Sequence, residues 1–245
     1  MSDNVEIRRE GGVTEILFDR PEKKNALTLA MYQFAAEALK DASSDDDVRS
    51  VIIGAEGEHF TAGNDLMDFM QNPPSDESSP VFQFLLALRQ CTCPVIAAVD
   101  GYAIGIGTTM LFHCDLAWAA EGAKFRMPFV DLGLVPEAGS SVMLPAMAGH
   151  RKAAELLYFS DFFGPETAKD VGLVNGVVQG DVLGLAREKA AQLAEKPPEA
   201  LKLTKGLLRK ADDAAVEAAM REEAELFVQR LQSAEFMEAV AKFQG

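Results

Sequence analysis

Residues 94–112 read PVIAAVDGYAIGIGTTMLF. Pro94–Val99 is a short, fully apolar run, the pattern of a strand buried on both faces. It runs into a glycine-rich turn over Gly101–Gly107, and the residues beyond predict a helix reaching His113. Strand, glycine turn and helix in that order leave orphan backbone N–H groups at the helix start. Such donors suit an anion or a developing oxyanion. Read alone, such a turn is more often a device for tight packing of a helix on a strand than an anion site. It is not a dinucleotide fingerprint, because the third glycine is missing, and it lacks the Lys-Ser/Thr pair of a P-loop.

Upstream, Val48–Gly54 (VRSVIIG) reads as a second buried strand, followed closely by His59–Leu66 (HFTAGNDL). Ala62 and Gly63 are small enough for a ligand to approach the main chain, and Asp65 stands where it would cap a following helix. Downstream, residues 133–141 read GLVPEAGSS. Glu137 is a lone carboxylate among apolar and small residues at a predicted helix start. Burial there would raise its pKa toward neutrality, as a general base or acid needs. The positive end of the helix dipole would favour the same residue for stability alone. Ala-Gly-Ser-Ser is no nucleophile elbow, which needs glycine on both sides of the serine.

Val5–Arg9 and Val13–Phe18 predict a hairpin about Gly11-Gly12. Thr28 predicts the cap of a helix running to about Ala42, whose Met31, Phe34, Ala35, Ala38 and Leu39 follow helical spacing. Val81–Arg89, Ser140–Met147 and Arg151–Phe159 read as helices, and Leu116–Ala120 and Lys124–Arg126 as strands. NPPSDESSP, residues 72–80, is expected to be a mobile surface insertion. From Leu185 the chain is helix-patterned and charged, broken at Pro197-Pro198. An α/β core over residues 1–185 and a helical oligomerisation region over 186–245 follow.

The 245 residues are 48% hydrophobic and 25% charged, the balance of an ordinary globular protein. Lys and Arg total 23 against 38 Asp and Glu, a net charge of −15. That sign argues against a nucleic-acid partner, though not against an anionic small ligand. Cys91, Cys93 and Cys114 are too few for a secreted framework, and Cys-x-Cys is not a zinc spacing, so no metal is expected. The first dozen residues lack the apolar stretch of a signal peptide. Gly101–Phe112 is too short to span a bilayer. The expectation is a cytoplasmic protein without a membrane partner.

RPEKKNAL (20–27), FTAGNDL (60–66), PVIAAVDG (94–101), GYAIGIG (101–107) and LGLVPEAGSS (132–141), in this order and spacing, resemble the crotonase, or enoyl-CoA hydratase/isomerase, superfamily over essentially the whole chain. The resemblance implies an α/β spiral of ββα units and a C-terminal helical region that builds homotrimers or dimers of trimers. It implies an acyl-CoA substrate whose thioester carbonyl is polarised by two backbone N–H groups, which fall on Asn64 and Ile106. It further implies that Lys24 lies near the CoA phosphates, that Asp65 and Leu66 line the pantetheine and adenine channel, and that Lys242 and Phe243 touch CoA across a subunit boundary. Hydratases of the family use two glutamates; the matching positions here are Thr109 and Phe129, and neither moves a proton at neutral pH. Phe129 would instead help keep water from the substrate.

Glu137 matches the single catalytic glutamate of the peroxisomal-type Δ3,Δ2-enoyl-CoA isomerases. The implied reaction shifts a double bond through a dienolate, with no cofactor beyond the CoA of the substrate. Another acyl-CoA reaction of the superfamily, such as weak hydration or thioester hydrolysis, and non-catalytic acyl-CoA binding are the rival readings. His59, His113 and His150 read as turn or helix residues, Trp118 as core, and Asp131 as an exposed loop residue. Met67, Met70, Met143 and Met147 could shape an acyl pocket, but methionine at helical spacing is more often ordinary packing.

Overall fold

The computed structural model describes residues 4–74 and 77–243; residues 75 and 76, inside the predicted surface insertion, lie outside them. In chain order the elements are β1 (Val5–Glu10), β2 (Val13–Phe18), α1 (Leu29–Ser44), β3 (Ser50–Ala55), α2 (Leu66–Gln71), α3 (Pro80–Gln90), β4 (Val95–Val99), β5 (Tyr102–Ile104), α4 (Ile106–Thr109), β6 (Leu116–Ala120) and β7 (Lys124–Arg126). There follow α5 (Ser140–Ala148), α6 (His150–Tyr158), α7 (Pro165–Asp170), β8 (Gly176–Val178), α8 (Val182–Ala194), α9 (Pro198–Arg209), α10 (Asp213–Leu231) and α11 (Ala234–Phe243).

The large sheet has the order β1-β2-β3-β4-β6-β8; its first pair is an antiparallel hairpin and every later pair is parallel. β5 and β7 leave it and pair in parallel with each other. From β4 onward successive strands alternate between the large and the small sheet, with helices after β5 and after β7, which is the α/β spiral that the sequence leads one to expect. Side chains alternate across a strand. Val51 and Ile53 of β3, with Val95, Ala97 and Val99 of β4, face the principal core under α1 and α3. Ile52, Ile96 and Ala98 face the other way and are covered by Val182, Ala186 and Ala190 of α8. Burial on both faces is why these strands are unbroken apolar runs.

Thr28 caps α1 by accepting the Met31 N–H, and Tyr32 of α1 packs on Phe84 of α3 with ring centroids 5.5 Å apart. The glycine-rich segment differs from its predicted form. It contains a strand, and α4 is one turn long before residues 110–113 tighten into a 3₁₀ helix. Thr108 Oγ1 donates to the Ala103 carbonyl at 2.5 Å and Thr109 Oγ1 to that of Gly105 at 3.3 Å, so side chains take carbonyls at the start of this helix. α7 and β8 have no counterpart in the sequence reading. Three residues at a sheet edge are too few to show alternation.

The helices after α8 are tied to the spiral by buried cations. Arg89 of α3, 4% exposed, pairs with Asp212 and Asp213 at 3.0 and 2.8 Å. Lys205 of α9 pairs with Asp115 at 2.7 Å and donates to the Cys93 carbonyl. Among the described residues no helix is long and apolar enough to cross a membrane.

Gly101, at φ +54°, turns β4 into β5, and a Cβ there would overlap the Glu58 carbonyl oxygen and His59 Nδ1. Gly101→Ala should therefore cost about 3 kcal/mol of stability. The effect would appear as a lower urea midpoint at an unchanged slope.

Candidate active site

Asn64 lies where the loop after β3 meets the segment entering α1. Leu27 N–H donates to the Gly63 carbonyl at 2.8 Å, and Asp65 N–H to that of Leu27 at 2.9 Å, forming one parallel bridge. Successive N–H groups of extended backbone point to opposite sides. The Asn64 N–H therefore faces away from Leu27, and no protein acceptor among the described residues takes it. The same loop is stitched to β5: Thr61 N–H donates to the Tyr102 carbonyl at 2.8 Å, and Ile104 N–H to that of Thr61 at 3.1 Å.

Two glycines allow this contact. A Cβ on Gly63, at φ +93°, would stand 2.9 Å from the Ile104 carbonyl oxygen, and one on Gly107 would stand 2.6 Å from Thr61 Cγ2. Ile106 opens α4, and its N–H also has no protein acceptor among the described residues. Three residues on, about 4.5 Å along the helix axis, Thr109 Oγ1 makes a long 3.4 Å contact with Glu137 Oε1.

Glu137 is 9% exposed and is followed by two left-handed residues, Ala138 at φ +63° and Gly139 at φ +69°. For an alanine that conformation costs about 1–2 kcal/mol, and the peptide groups around it are all held. Ser140 Oγ donates to the Glu137 carbonyl at 2.5 Å, and Glu223 of α10 accepts the N–H groups of Gly139 and Ser141 at 2.6 and 2.9 Å. His113 Nε2 meets the Ala138 carbonyl at 2.8 Å. Burial pulls the His113 pKa down to about 3, so the ring is neutral and its proton sits on Nε2, facing that carbonyl. Burial pushes the Glu137 carboxyl up to about 8; the Glu223 carboxylate adds to the rise, and the Thr109 hydroxyl opposes it.

Tyr32, on α1, completes the group. Burial, and then the Glu137 charge, hold its phenol well above the ordinary value, so it stays protonated and donates to Asn64 Oδ1 at 2.5 Å. Glu137 and Ala138 open on a cavity of about 450 Å³ between α3 and α10, walled by Phe69, Val81, Phe82, Leu85, Met220 and Phe227. Of the acids lining this cavity Glu137 is the buried one, and a carboxyl group so shielded can take up and return a proton with little exchange with bulk water.

Residues 8–244 match the enoyl-CoA hydratase/isomerase family. The chain belongs to that family. It is 35% identical over 249 residues to enoyl-CoA delta isomerase 2 of Rattus norvegicus, an alignment covering 99% of this chain and 63% of that protein. The chain thus spans somewhat under two thirds of that relative. It is 33% identical to 1,2-epoxyphenylacetyl-CoA isomerase of Escherichia coli K12, with 96% of this chain and 92% of that one covered. The structure of Pseudomonas aeruginosa OdaA superposes with a TM-score of 0.96 at 44% identity, covering 99% of each chain.

In this enoyl-CoA hydratase/isomerase family member, the residues singled out in the sequence fall as follows. Asn64, Ile106 and Glu137 gather around α4 through the contacts described. The Lys24 carbonyl accepts the Ala62 N–H at 2.9 Å, and the exposed Lys24 ammonium lies 5.2 Å from the Tyr102 ring centroid. Asp65 caps α2 and pairs with Arg20 at 2.7 Å, so its carboxylate is held by the fold; half-buried Leu66 begins that helix. Phe129 is buried behind the cavity wall, edge-on to Phe227. Lys242 is exposed on α11, and the Phe243 side chain lies outside the described residues.

His59 stacks on Tyr102, Asp131 pairs with Arg126 at 2.6 Å, and His150 is exposed. Trp118 is half-buried beside the α8 cluster. Met67, Met70, Met143 and Met147 are not among the cavity walls. Tyr32, His113 and Glu223 are the functional neighbours that sequence reasoning missed.

Glu223 and Glu137 repel each other as carboxylates, so neutralising the first should make the second easier to ionise. Glu223→Gln is expected to lower the Glu137 pKa from about 8, measured by carbon NMR of the labelled carboxyl group. An unchanged titration would show the two groups to be uncoupled.

Proposed function

We propose that this protein moves the double bond of a 3-enoyl-CoA to the 2-position, with Glu137 carrying the proton. The observation that carries this reading is the buried Glu137 carboxyl group, its pKa raised to about 8 by burial, which lines a cavity with apolar walls and, unlike the buried Glu223, is not bound to main-chain N–H groups. A hydration needs one group to activate water and a second to manage the α-carbon proton. Here the residues at the two hydratase positions are Thr109 and Phe129, and the second nearby acid, Glu223, is bound to the α5 backbone.

In the proposed reaction the Glu137 carboxylate removes a proton from C2 of the thioester. The C–H electron pair moves into the C1–C2 bond, and the thioester carbonyl becomes the oxygen of a dienolate. The N–H groups of Asn64 and Ile106 bind that oxygen, where such a donor is worth roughly 100–1,000-fold in rate. Protonated Glu137 then delivers its proton to C4, the C2–C3 double bond forms, and the carboxylate is restored. No electron leaves the substrate, so the step calls for no redox cofactor. Lys24 would meet the CoA phosphates, and Ala62, Asp65 and Leu66 would border the pantetheine arm. Phe129, behind Phe227, would help keep water from the dienolate. Exposed Leu203, Leu207 and Leu208 on α9, with Tyr158 at the end of α6 and Phe159 beyond it, support assembly into a homotrimer or a dimer of trimers.

Glu137→Gln is expected to abolish conversion of 3-enoyl-CoA, followed as growth of the conjugated thioester absorbance, while calorimetry shows acyl-CoA binding nearly intact. Asn64→Ala keeps the main-chain donor and should cost less. Loss of binding with retained turnover would overturn the assignment. With a pKa near 8, about a tenth of Glu137 is ionised at pH 7. The base form is the one that accepts the α proton, so kcat/KM should climb with pH and level off above the Glu137 pKa. A profile flat from pH 6 to 9 would exclude Glu137 as the base.

A further inference from the structure

The cavity that holds Glu137 has a charged mouth, and we propose that this mouth selects acyl chains with an uncharged end and rejects chains ending in a carboxylate. The inference rests on the acyl-CoA reading above and extends it to the far end of the chain. Glu217, Arg221, Glu225 and Gln229 recur every four residues along α10 and so form one stripe of that helix. Arg221, Glu225 and Gln229 border the cavity, with Met220 and Phe227 forming its inner wall on the neighbouring face. Arg221 pairs with Glu77 at 3.1 Å and with Glu217 at 3.6 Å. One guanidinium thus stands among three carboxylates, the third being Glu225 one helical turn away.

With the thioester beside Asn64 and Ile106, and C2 and C4 at Glu137, the remaining carbons run along the apolar walls toward this mouth. A terminal methyl leaves the charges undisturbed. A terminal carboxylate meets an excess of like charge, and the one cation there, Arg221, is already shared between Glu77 and Glu217. The groups are exposed, so the discrimination is moderate and sensitive to salt.

The test uses saturated acyl-CoAs of eight, ten and twelve carbons, each with and without a terminal carboxylate, titrated calorimetrically into the full chain. The carboxylated chains are expected to bind on the order of tenfold more weakly at the length that reaches the mouth. Added salt should narrow the gap, and Glu225→Lys should narrow it further, with Glu217→Gln as a second variant. Equal affinities at every length in low salt overturn the proposal, as does a gap that neither substitution changes. Saturated thioesters have no double bond to move, so the measurement does not depend on turnover. The expected preference without conversion of a 3-enoyl-CoA would overturn the reaction and leave the mouth's selectivity standing, whereas failure to bind any of these thioesters overturns both.

Discussion

A carboxyl group buried without a counter-charge resists ionisation, and the loop around Glu137 holds one in that condition. The rise from 4.5 to about 8 corresponds to something on the order of 5 kcal/mol against the charged form. A cation beside the carboxylate would remove that penalty and also pull the pKa away from neutrality. The structure fixes the residue by its main chain instead. His113 and Ser140 donate to carbonyls of the turn, and Glu223 receives its N–H groups. None of these brings positive charge to the Glu137 side chain, and Glu223 brings the opposite. Main-chain contacts thereby set the position of Glu137 and burial sets most of its proton affinity, while Glu223 contributes to both.

The two free amides depend on a different constraint, that of close approach. Gly63 against Ile104 and Gly107 against Thr61 let two loops from separate turns of the spiral lie in van der Waals contact. The bridge at Leu27 uses the main-chain groups flanking Asn64, and the residue's own N–H is left on the other side. Tyr32 then fixes the Asn64 side chain from α1. A phenol whose pKa is driven upward is a dependable donor across the whole range in which Glu137 titrates.

How much of this could be read from the sequence follows from what each residue's neighbours are. β3, β4 and β6 were legible because a parallel strand covered on both faces must be apolar throughout. Thr28 was legible as a cap, and Glu137 stood out as one acid in an otherwise uncharged stretch. Asn64 and Ile106 came from motif resemblance, since spacing alone leaves a glycine turn ambiguous. Tyr32 sits in the apolar stripe of α1 and reads as core, its hydroxyl partner being 32 residues away. Glu223 lies in a run of acids, and which of them is buried is decided only when α10 docks. His113 donates to a carbonyl 25 residues on, at a residue whose left-handed backbone no local pattern announces.

The docking of α10 joins the helical region to the chemistry of the spiral. That one helix supplies Glu223 to the Glu137 turn, and Met220 and Phe227 to the cavity wall. Its N-terminal end is held by Arg89, a nearly buried cation on α3 facing Asp212 and Asp213. Asp212 and Asp213 are each about half exposed, so the costly change is the loss of both, which would leave the buried Arg89 cation without compensation. Arg89 is thus bound to keep α10 in register with α3, the two helices that form opposite sides of the cavity. A shift of α10 would move the charge nearest Glu137 and the surface along which a chain lies at the same time. Proton affinity and chain recognition are therefore coupled through a helix that donates no reacting atom.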